Sequence, residues 1–381
     1  MVRLGQNRRE ARLLASLGLV AGLGALVPAA SSADGSAKSA STSSPGSQTI
    51  GLAITSWRWA LMETPDLKEC PNGLQPGEVA QLKATPGAVE RIRAEGGTFE
   101  QRGPNGESPQ HSPDLVKDPL PFRELVSKAG FGANLDGTPD GRATARTCKH
   151  DKFAGVDLTQ GEQVDNQTAR VLGCVQGFRT GGQTAEFYSN EVANFVVNRH
   201  LIEVTGVDSE VNDPAVEVRI YKGYDRVVRT ADGNRFVPFL SQRIDTRYPQ
   251  YNLKTKGRIV NGVLITDPIS AVFPHSSERQ YADRDMKDMT LRLKLGPESA
   301  DGILAGYDNW KRQYELHSKR VVAELDKMSH PSIWHAYKRY ADGYPDPKTG
   351  ECNYISAAYK ITAVRSIIVH PAKPSQRIAR N

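Results

Sequence analysis

Apolar and polar residues alternate along much of the second half of this chain, which is the pattern of β-strands with one buried face. Val216, Val218 and Ile220, for example, alternate with charged and aromatic residues. Turn-forming residues separate the alternating runs. The Asn261-Gly262 pair is the clearest of these turns, because both residues tolerate the positive φ that a two-residue hairpin needs.

The alternation predicts four successive antiparallel hairpins. Their strands cover residues 201–207 with 215–222, 227–230 with 235–240, 254–260 with 263–266, and 290–295 with 303–307. Each strand has one apolar and one polar face, as in an antiparallel sheet with one side in solvent. The predicted fold is therefore mainly β, either an antiparallel sandwich or an open barrel, with an α+β fold as the alternative.

Two further strands are predicted at the ends of the folded region. The first starts near Thr49, and its apolar positions change parity at Thr55-Ser56, which predicts a β-bulge there. Near the C-terminus, a helix that begins after Asp308 and a second helix over 333–341 precede an alternating run that continues to Val369. We expect this last strand to be central in the sheet or paired with the N-terminal strand.

The segment from Cys70 to about Cys174 has a different composition, rich in Gly, Pro, Asp and Asn. Two short helices are predicted in it, over 78–94 and 122–129. An irregular insertion of this length in a compact domain is normally functional or tied down. We therefore expect residues 49–381 to form one β-rich domain with an insertion over about 70–174.

The N-terminus has the order of a secretory signal peptide: arginines, then the 15-residue apolar run Leu13–Val27, then small residues up to Ala33. The apolar run is too short to span a bilayer, so we expect no transmembrane anchor. Residues 34–48 are rich in Ser and are expected to form a disordered tether. These features predict export, to the periplasm or out of the cell, after cleavage of residues 1–33.

The charge changes the list of expected partners. Cleavage of residues 1–33 removes four arginines and one glutamate, which lowers the formal net charge from +6 to +3. The remaining basic residues are spread among acidic ones, whereas proteins that bind nucleic acids concentrate them on one face or in one run. Nucleic acid is therefore not an expected partner.

Four cysteines, an even number in a protein expected to be exported, predict two disulfides. Among the three pairings, we expect Cys148–Cys174, which closes a loop inside the insertion, and Cys70–Cys352, which ties the insertion to the final strand. No two cysteines have the C-x₂-C spacing of zinc ribbons or thioredoxin-like redox sites.

The densest group of polar residues lies between Asn134 and Gln167. Short Asp-Gly units let carboxylate and carbonyl oxygens converge, as a hard cation such as Ca²⁺ requires. The spacing does not match an EF-hand. The candidate calcium ligands are Asp136, Asp140, Asp157, Asp165 and Asn166. The alternative interpretation is that these residues form ordinary Asx and Gly turns.

Catalytic signatures are missing from the sequence: there is no H-E-x-x-H, G-x-S-x-G or P-loop motif. The catalytic candidates are the neighbours His150 and Asp151, or a pair of facing carboxylates such as Glu203 and Glu217. The sequence thus predicts an exported, soluble, non-catalytic binding or envelope-associated protein, stabilised by calcium if the acidic segment holds that ion. Its partners would be a carbohydrate or another exported protein. The alternative is a secreted hydrolase that acts on a polysaccharide or another extracellular polymer.

Overall fold

In the computed structural model of this protein, the structure describes residues 47–90, 105–108, 110–117, 120–275, 283–318 and 326–371. These residues all belong to one compact unit. The predicted signal peptide, 1–33, and most of the predicted tether lie outside the described residues. Within the described ranges, no helix combines the length and the apolar content needed to cross a membrane.

Strands dominate the described part of the chain. They are β1 Gln48–Trp59, β2 Ala129–Gly130, β3 Phe153–Gly155, β4 Gln163–Val164, β5 His200–Val207, β6 Asp213–Lys222, β7 Leu240–Arg243, β8 Leu253–Val260, β9 Val263–Thr266, β10 Ile269–Pro274, β11 Asp283–Leu295, β12 Ser299–Asn309, β13 Gly343–Pro345 and β14 Cys352–Val369. The α-helices are α1 Glu78–Ala84, α2 Gln167–Leu172, α3 Gln183–Asn194, α4 Trp310–Ser318 and α5 His330–Tyr340. Single turns of 3₁₀-helix cover Pro113–Leu115, Asp157–Thr159, Gln176–Phe178, Val196–Asn198 and Pro249–Tyr251.

Eight strands form a closed antiparallel barrel. Their order around the ring is β1, β5, β6, β8, β9, β11, β12 and β14, and β14 pairs with β1 to complete it. The prediction of a mainly β fold is confirmed, but the sandwich and the open barrel are wrong. The reason is the final strand, which hydrogen-bonds along one edge to β12 and along the other to β1. Three short strands pair with the ends of barrel strands: β10 pairs with β11, and β7 and β13 pair with β14. β2, β3 and β4 form a separate small sheet.

Local sequence signals placed the turn and the bulge correctly. Asn261 and Gly262 have φ values of 51° and 74° and join β8 to β9. The pairing of β1 with β14 shifts register between Ile54 and Ser56, which confirms the predicted bulge. Trp57 can therefore lie on the inner side of β1 together with Ile54 despite the odd spacing.

Several other predicted elements are wrong in whole or in part. The hairpin over 227–240 consists of one bridge, Arg229 to Phe236, and β7 instead runs parallel to β14. The predicted helix over 78–94 is interrupted: α1 ends at Ala84, because Pro86 disfavours helical backbone before it, and helical backbone resumes at residues 88–90; residues 91–94 lie outside the described ranges. The helix predicted to begin after Asp308 is present as α4, although Asp308 itself lies within β12, and Asn309 Oδ1 rather than Asp308 accepts the hydrogen bond from the Arg312 backbone N–H.

The predicted helix over 122–129 is also wrong, because this segment is extended. Its backbone N–H groups bond to distant parts of the insertion, Leu125 to the carbonyl of Arg170 and Val126 to that of Glu69. Two helices were not predicted: α2 lies in the segment where irregular structure was predicted, and α3 follows that segment.

The barrel interior is a packed core. Large side chains, among them Trp57, Phe273, Met289 and Leu304, leave a cavity of about 10 Å³ between them, roughly the least space that holds one water molecule. Eight-stranded barrels are just wide enough for side chains to fill or for one small ligand to enter. Here the side chains fill the barrel, so a binding site has to be sought outside it.

A buried ion pair lies in the same core. Arg284 Nη1 is 2.8 Å from Asp308 Oδ2, and both side chains are almost completely buried. Tyr359 donates its hydroxyl to the same carboxylate oxygen at 2.7 Å, and its ring packs 4.4 Å beneath the guanidinium. Gln313 also donates to Asp308. These bonds compensate charges that would otherwise be costly to bury.

His200 gives the barrel core a pH dependence. Burial lowers the pKa of this histidine to about 3, and nearby cations act in the same direction. Since an unfolded histidine titrates near pH 6.5, His200 contributes stability above that pH, and the contribution is lost as the pH falls from 6.5 towards 3. Between pH 7.5 and 4.5, the wild type should lose about 2–3 kcal/mol more unfolding free energy than His200→Phe in denaturant titrations. Equal losses in the two proteins would contradict this.

Candidate functional site

The insertion occupies residues 60–199, between β1 and β5, and two disulfides hold it. Cys70 pairs with Cys174 at a Cα–Cα distance of 5.8 Å, and Cys148 pairs with Cys352 at 6.3 Å. The prediction of two disulfides is confirmed, but both predicted pairings are wrong. The Gln75 backbone N–H bonds to the Cys174 carbonyl, so the start and the end of the insertion lie side by side. The second disulfide ties the middle of the insertion to the first residue of β14.

His150 lies buried where the insertion meets the barrel. Its Nδ1 is 2.9 Å from the carbonyl oxygen of Cys148, and its Nε2 is 2.9 Å from Asp165 Oδ1. Both partners only accept hydrogen bonds, so a ring that bonds to both carries two protons. Burial disfavours this charge, but the hydrogen bond to Asp165 and the charge of Asp342 outweigh burial and raise the pKa of His150 to about 9.

Asp136 and Asp165 are held in place by backbone groups. Asp165 Oδ2 accepts the N–H of Leu135 at 2.7 Å. Asp136 Oδ1 accepts the N–H of Thr138 at 2.7 Å, and Asp136 Oδ2 accepts the Thr138 hydroxyl at 2.8 Å. The bond from Thr138 N–H back to Asp136 is that of an Asx turn. Turn chemistry therefore fixes the direction of the Asp136 carboxylate.

Lys152 contacts these carboxylates from one side. Its Nζ is 2.5 Å from Asp136 Oδ1, 3.0 Å from Asp165 Oδ1 and 2.7 Å from Asn134 Oδ1, and its side chain is only 2% exposed. Acidic and amide oxygens are the ligands that Ca²⁺ prefers. An ammonium group thus lies within this set of oxygens.

Asp342 contacts the same histidine, and the buried Tyr307 of β12 interacts electrostatically with these carboxylates. Asp342 follows α5, its Oδ1 accepts the N–H of Ser356 at 2.6 Å, and its Oδ2 is 3.7 Å from His150 Nε2. Burial raises the pKa of Asp342 to about 7. The hydroxyl of Tyr307, on β12, has no hydrogen-bond partner among the described residues. Burial, followed by the charges of Asp342, Asp165 and other carboxylates, raises the pKa of Tyr307.

We call this group the His150 cluster; its members are Asp136, His150, Lys152, Asp165, Tyr307 and Asp342. The other predicted calcium ligands lie apart from it. Asp140 and Asp157 are exposed, and the buried Asn166 binds the backbone of Ala60 and Ala358. The structure therefore brings together two of the five predicted ligands, and calcium binding stays a prediction.

Asp151 points away from His150, its neighbour and predicted catalytic partner. Its exposed side chain lines a surface pocket of about 420 Å³, which we call the insertion pocket. The charged and amide side chains that line it are those of Lys128, Asp140, Asp151, Lys152, Gln163 and Arg170. The Arg170 guanidinium lies 4.4 Å over the ring of the buried Phe153, which fixes one wall of the pocket.

The predicted carboxylate pair, Glu203 and Glu217, lies on the outer face of the adjacent strands β5 and β6, but the two carboxylates bond to different groups. Glu203 accepts the Tyr221 hydroxyl at 3.0 Å, and its other oxygen is 2.8 Å from His370 Nε2. Glu217 pairs with Arg219 and Lys254. Each carboxylate thus has its own partners, and Glu203 is buried.

Sequence reasoning missed three members of the His150 cluster, Lys152, Tyr307 and Asp342. Lys152 could have been predicted, because it lies in the same acidic segment and, in an alternating chain, its side chain lies on the same side as that of His150. Tyr307 and Asp342 are more than 140 residues away along the chain, and no local pattern marks them. Only the correct partner for Cys148, which is Cys352, would have indicated that this part of the chain lies nearby.

No protein-family model, curated protein or solved structure matches this chain. The function is therefore inferred from the chemistry of the His150 cluster and of the insertion pocket.

Removal of the Lys152 ammonium should destabilise the protein, because it leaves buried carboxylates without a compensating charge. In chelator-treated protein we expect Lys152→Met to lower the unfolding free energy by about 3–5 kcal/mol, measured by denaturant titration. Lys128→Met, which changes an exposed lysine of the same insertion, should stay within about 0.5 kcal/mol of the wild type. Similar values for both variants would refute a structural role for the Lys152 charge.

Proposed function

We propose that this protein is an exported, non-catalytic binding protein that binds a neutral carbohydrate in the insertion pocket. The observation that carries the proposal is the balance of hydrogen-bonding groups in the pocket. Lys128 and Arg170 only donate, whereas Asp140 and Asp151 only accept. A sugar hydroxyl both donates and accepts, so neighbouring hydroxyls of one sugar ring can bond to both kinds of group.

The charge of the pocket supports a neutral ligand. Lys152 also lines the pocket, but its ammonium is bonded to Asp136 and Asp165 in the His150 cluster. The remaining charged side chains are two cations and two carboxylates, which cancel. A ligand with a full charge would leave part of this set without compensation.

The pocket is built on a rigid framework, so ligand binding should cost little conformational entropy. Gln163 belongs to β4, Arg170 belongs to α2, and both disulfides fix the insertion that contains them. A preformed site loses less conformational entropy when a ligand binds. The two disulfides are also compatible with export, since such bonds persist in oxidising compartments.

The chemistry around the pocket favours binding over catalysis. No histidine or cysteine is among the described residues that line it. His150 is buried and bonded through both ring nitrogens, so it offers no free base to the pocket. One observation supports the hydrolase alternative: Asp140 and Asp151 line the same pocket, and glycoside hydrolases use a pair of carboxylates. Both are exposed, however, whereas a general acid at neutral pH is normally surrounded by apolar groups.

Calorimetric titration with neutral oligosaccharides tests the proposal. We expect a ligand whose affinity falls at least tenfold in Asp151→Asn and in Lys128→Gln, because each change removes bonds to sugar hydroxyls. Asp157→Asn, an exposed carboxylate of the same insertion outside the pocket, is the matched control and should bind as the wild type does.

The same protein preparations separate binding from hydrolysis. Stable binding with no release of reducing sugar supports a non-catalytic function. Cleavage of the bound glycan that disappears in Asp140→Asn and Asp151→Asn would instead establish the hydrolase. If no oligosaccharide of a broad neutral set binds, or if Asp157→Asn loses affinity as the pocket variants do, the proposal is wrong.

A further inference from the structure

The geometry points to a second site: we propose that the inner side of the His150 cluster binds a divalent first-row transition metal ion, with Asp136, His150, Asp165 and Asp342 as its ligands and the Tyr307 hydroxyl beside it. The proposed ligands do not line the carbohydrate pocket, although Lys152 contacts both places. The site shares Asp136 and Asp165 with the predicted calcium site and differs from it in its other ligands and in its chemistry.

Three carboxylate oxygens converge on one imidazole nitrogen. From His150 Nε2, the distances are 2.9 Å to Asp165 Oδ1, 3.7 Å to Asp342 Oδ2 and 3.8 Å to Asp136 Oδ2. Ligand atoms that bind one metal ion at about 2.0–2.2 Å are about 3–3.5 Å from each other. The ligand atoms of Asp136, His150 and Asp165 all lie within 4.8 Å of one another, and Asp342 Oδ2 lies 3.7 Å from the same imidazole nitrogen, so a bound ion would draw these atoms inward.

Two buried polar atoms of the cluster give an independent reason to expect a ligand. The Tyr307 side chain is on a residue that is 1% exposed, and its hydroxyl has no hydrogen-bond partner among the described residues. The same holds for Asp342 Oδ2. Buried polar atoms are normally satisfied, and each exception needs an explanation. An ion bound between them would provide one.

The formal charges also favour a divalent ion. Three ionised carboxylates, the Lys152 ammonium and the doubly protonated His150 sum to −1, and replacement of one imidazole proton by a divalent ion brings the sum to zero. A buried excess of charge is costly unless it is compensated. A divalent cation with a neutral imidazole ligand cancels this excess.

The donor atoms select the class of metal. Ca²⁺ takes oxygen ligands, whereas imidazole together with carboxylates suits ions such as Zn²⁺, Mn²⁺ and Fe²⁺. The all-oxygen side of the cluster, which would suit calcium better, already contains the Lys152 ammonium. Lys152 bonds to Asp136 Oδ1, while Asp136 Oδ2 faces His150; the same ammonium is 3.0 Å from Asp165 Oδ1, so it would lie next to the proposed ion and share one ligand atom with it.

Each proposed ligand is oriented by a second hydrogen bond, as metal ligands in proteins usually are. His150 bonds through Nδ1 to the Cys148 carbonyl, which directs Nε2 towards the carboxylates. Asp136 accepts the Thr138 hydroxyl, and Asp342 accepts the Ser356 N–H. The ligands therefore point inward without the ion.

The test uses the full chain, stripped with chelator and titrated separately with Zn²⁺, Co²⁺ and Ca²⁺. We expect one Zn²⁺ or Co²⁺ per chain by elemental analysis, a visible d–d absorption band with Co²⁺, and a higher melting temperature with either ion. Asp342→Asn should abolish these effects. Asp140→Asn and Asp157→Asn, which change exposed members of the predicted calcium set, should bind Zn²⁺ like the wild type.

Tyr307→Phe separates metal binding from a purely structural role. The Tyr307 hydroxyl has no partner among the described residues, so its removal should leave the melting temperature of the metal-free protein unchanged or raise it. The same variant should bind Zn²⁺ at least tenfold more weakly, the size of effect found when groups around a metal site are removed.

Three results would each overturn the proposal. The first is that stripped wild-type protein takes up neither Zn²⁺ nor Co²⁺ in stoichiometric amount. The second is that Ca²⁺ alone raises the melting temperature and that this effect depends on Asp140 and Asp157. The third is that Tyr307→Phe binds Zn²⁺ as tightly as the wild type.

Discussion

The pairing of β14 with both β1 and β12 is the constraint on which the rest of the structure depends. β14 is 18 residues long and supplies both edges that close the barrel. The same strand holds the insertion, since Cys352 forms a disulfide with Cys148 and the Ala358 N–H bonds to Asn166. Its Ser356 positions the Asp342 carboxylate. Barrel closure, attachment of the insertion and the shape of the His150 cluster are thus consequences of one strand.

Those features that depend on neighbouring residues could be predicted from the sequence, and those that depend on distant pairing could not. The Asn261-Gly262 turn and the bulge near Thr55 follow from local conformational preferences. Barrel closure and the disulfide partners join segments far apart in the chain, and alternation along a strand does not say which strand lies beside it. The extended segment 122–129 has an apolar spacing compatible with a helix, but its N–H groups find partners in other parts of the insertion.

The candidate site shows the same division between local features and distant pairing. An acidic, turn-rich segment drew attention to Asp136, Asp165 and His150, and these residues do meet. Side chains alternate along 150–152, so His150 and Lys152 enter the buried cluster while Asp151 faces the surface pocket. Two adjacent residues that looked like one catalytic pair therefore serve two different environments. The backbone between them is a direct physical connection from the proposed ion to the proposed sugar.

The position of β14 along the chain also governs when this protein can fold. A polypeptide that emerges from a ribosome or a translocation channel presents β1 early, yet the strand that covers its free edge is complete only when residue 369 has appeared. Until then, Trp57 and Trp59 have no finished core to enter, and Cys148 has no correct partner. Pairing over such long sequence separations is slow and leaves apolar surface exposed to aggregation. The two disulfides therefore become possible at different times: both cysteines of Cys70–Cys174 are present once residue 174 has appeared, whereas Cys148 has to wait for Cys352 at the start of the last strand.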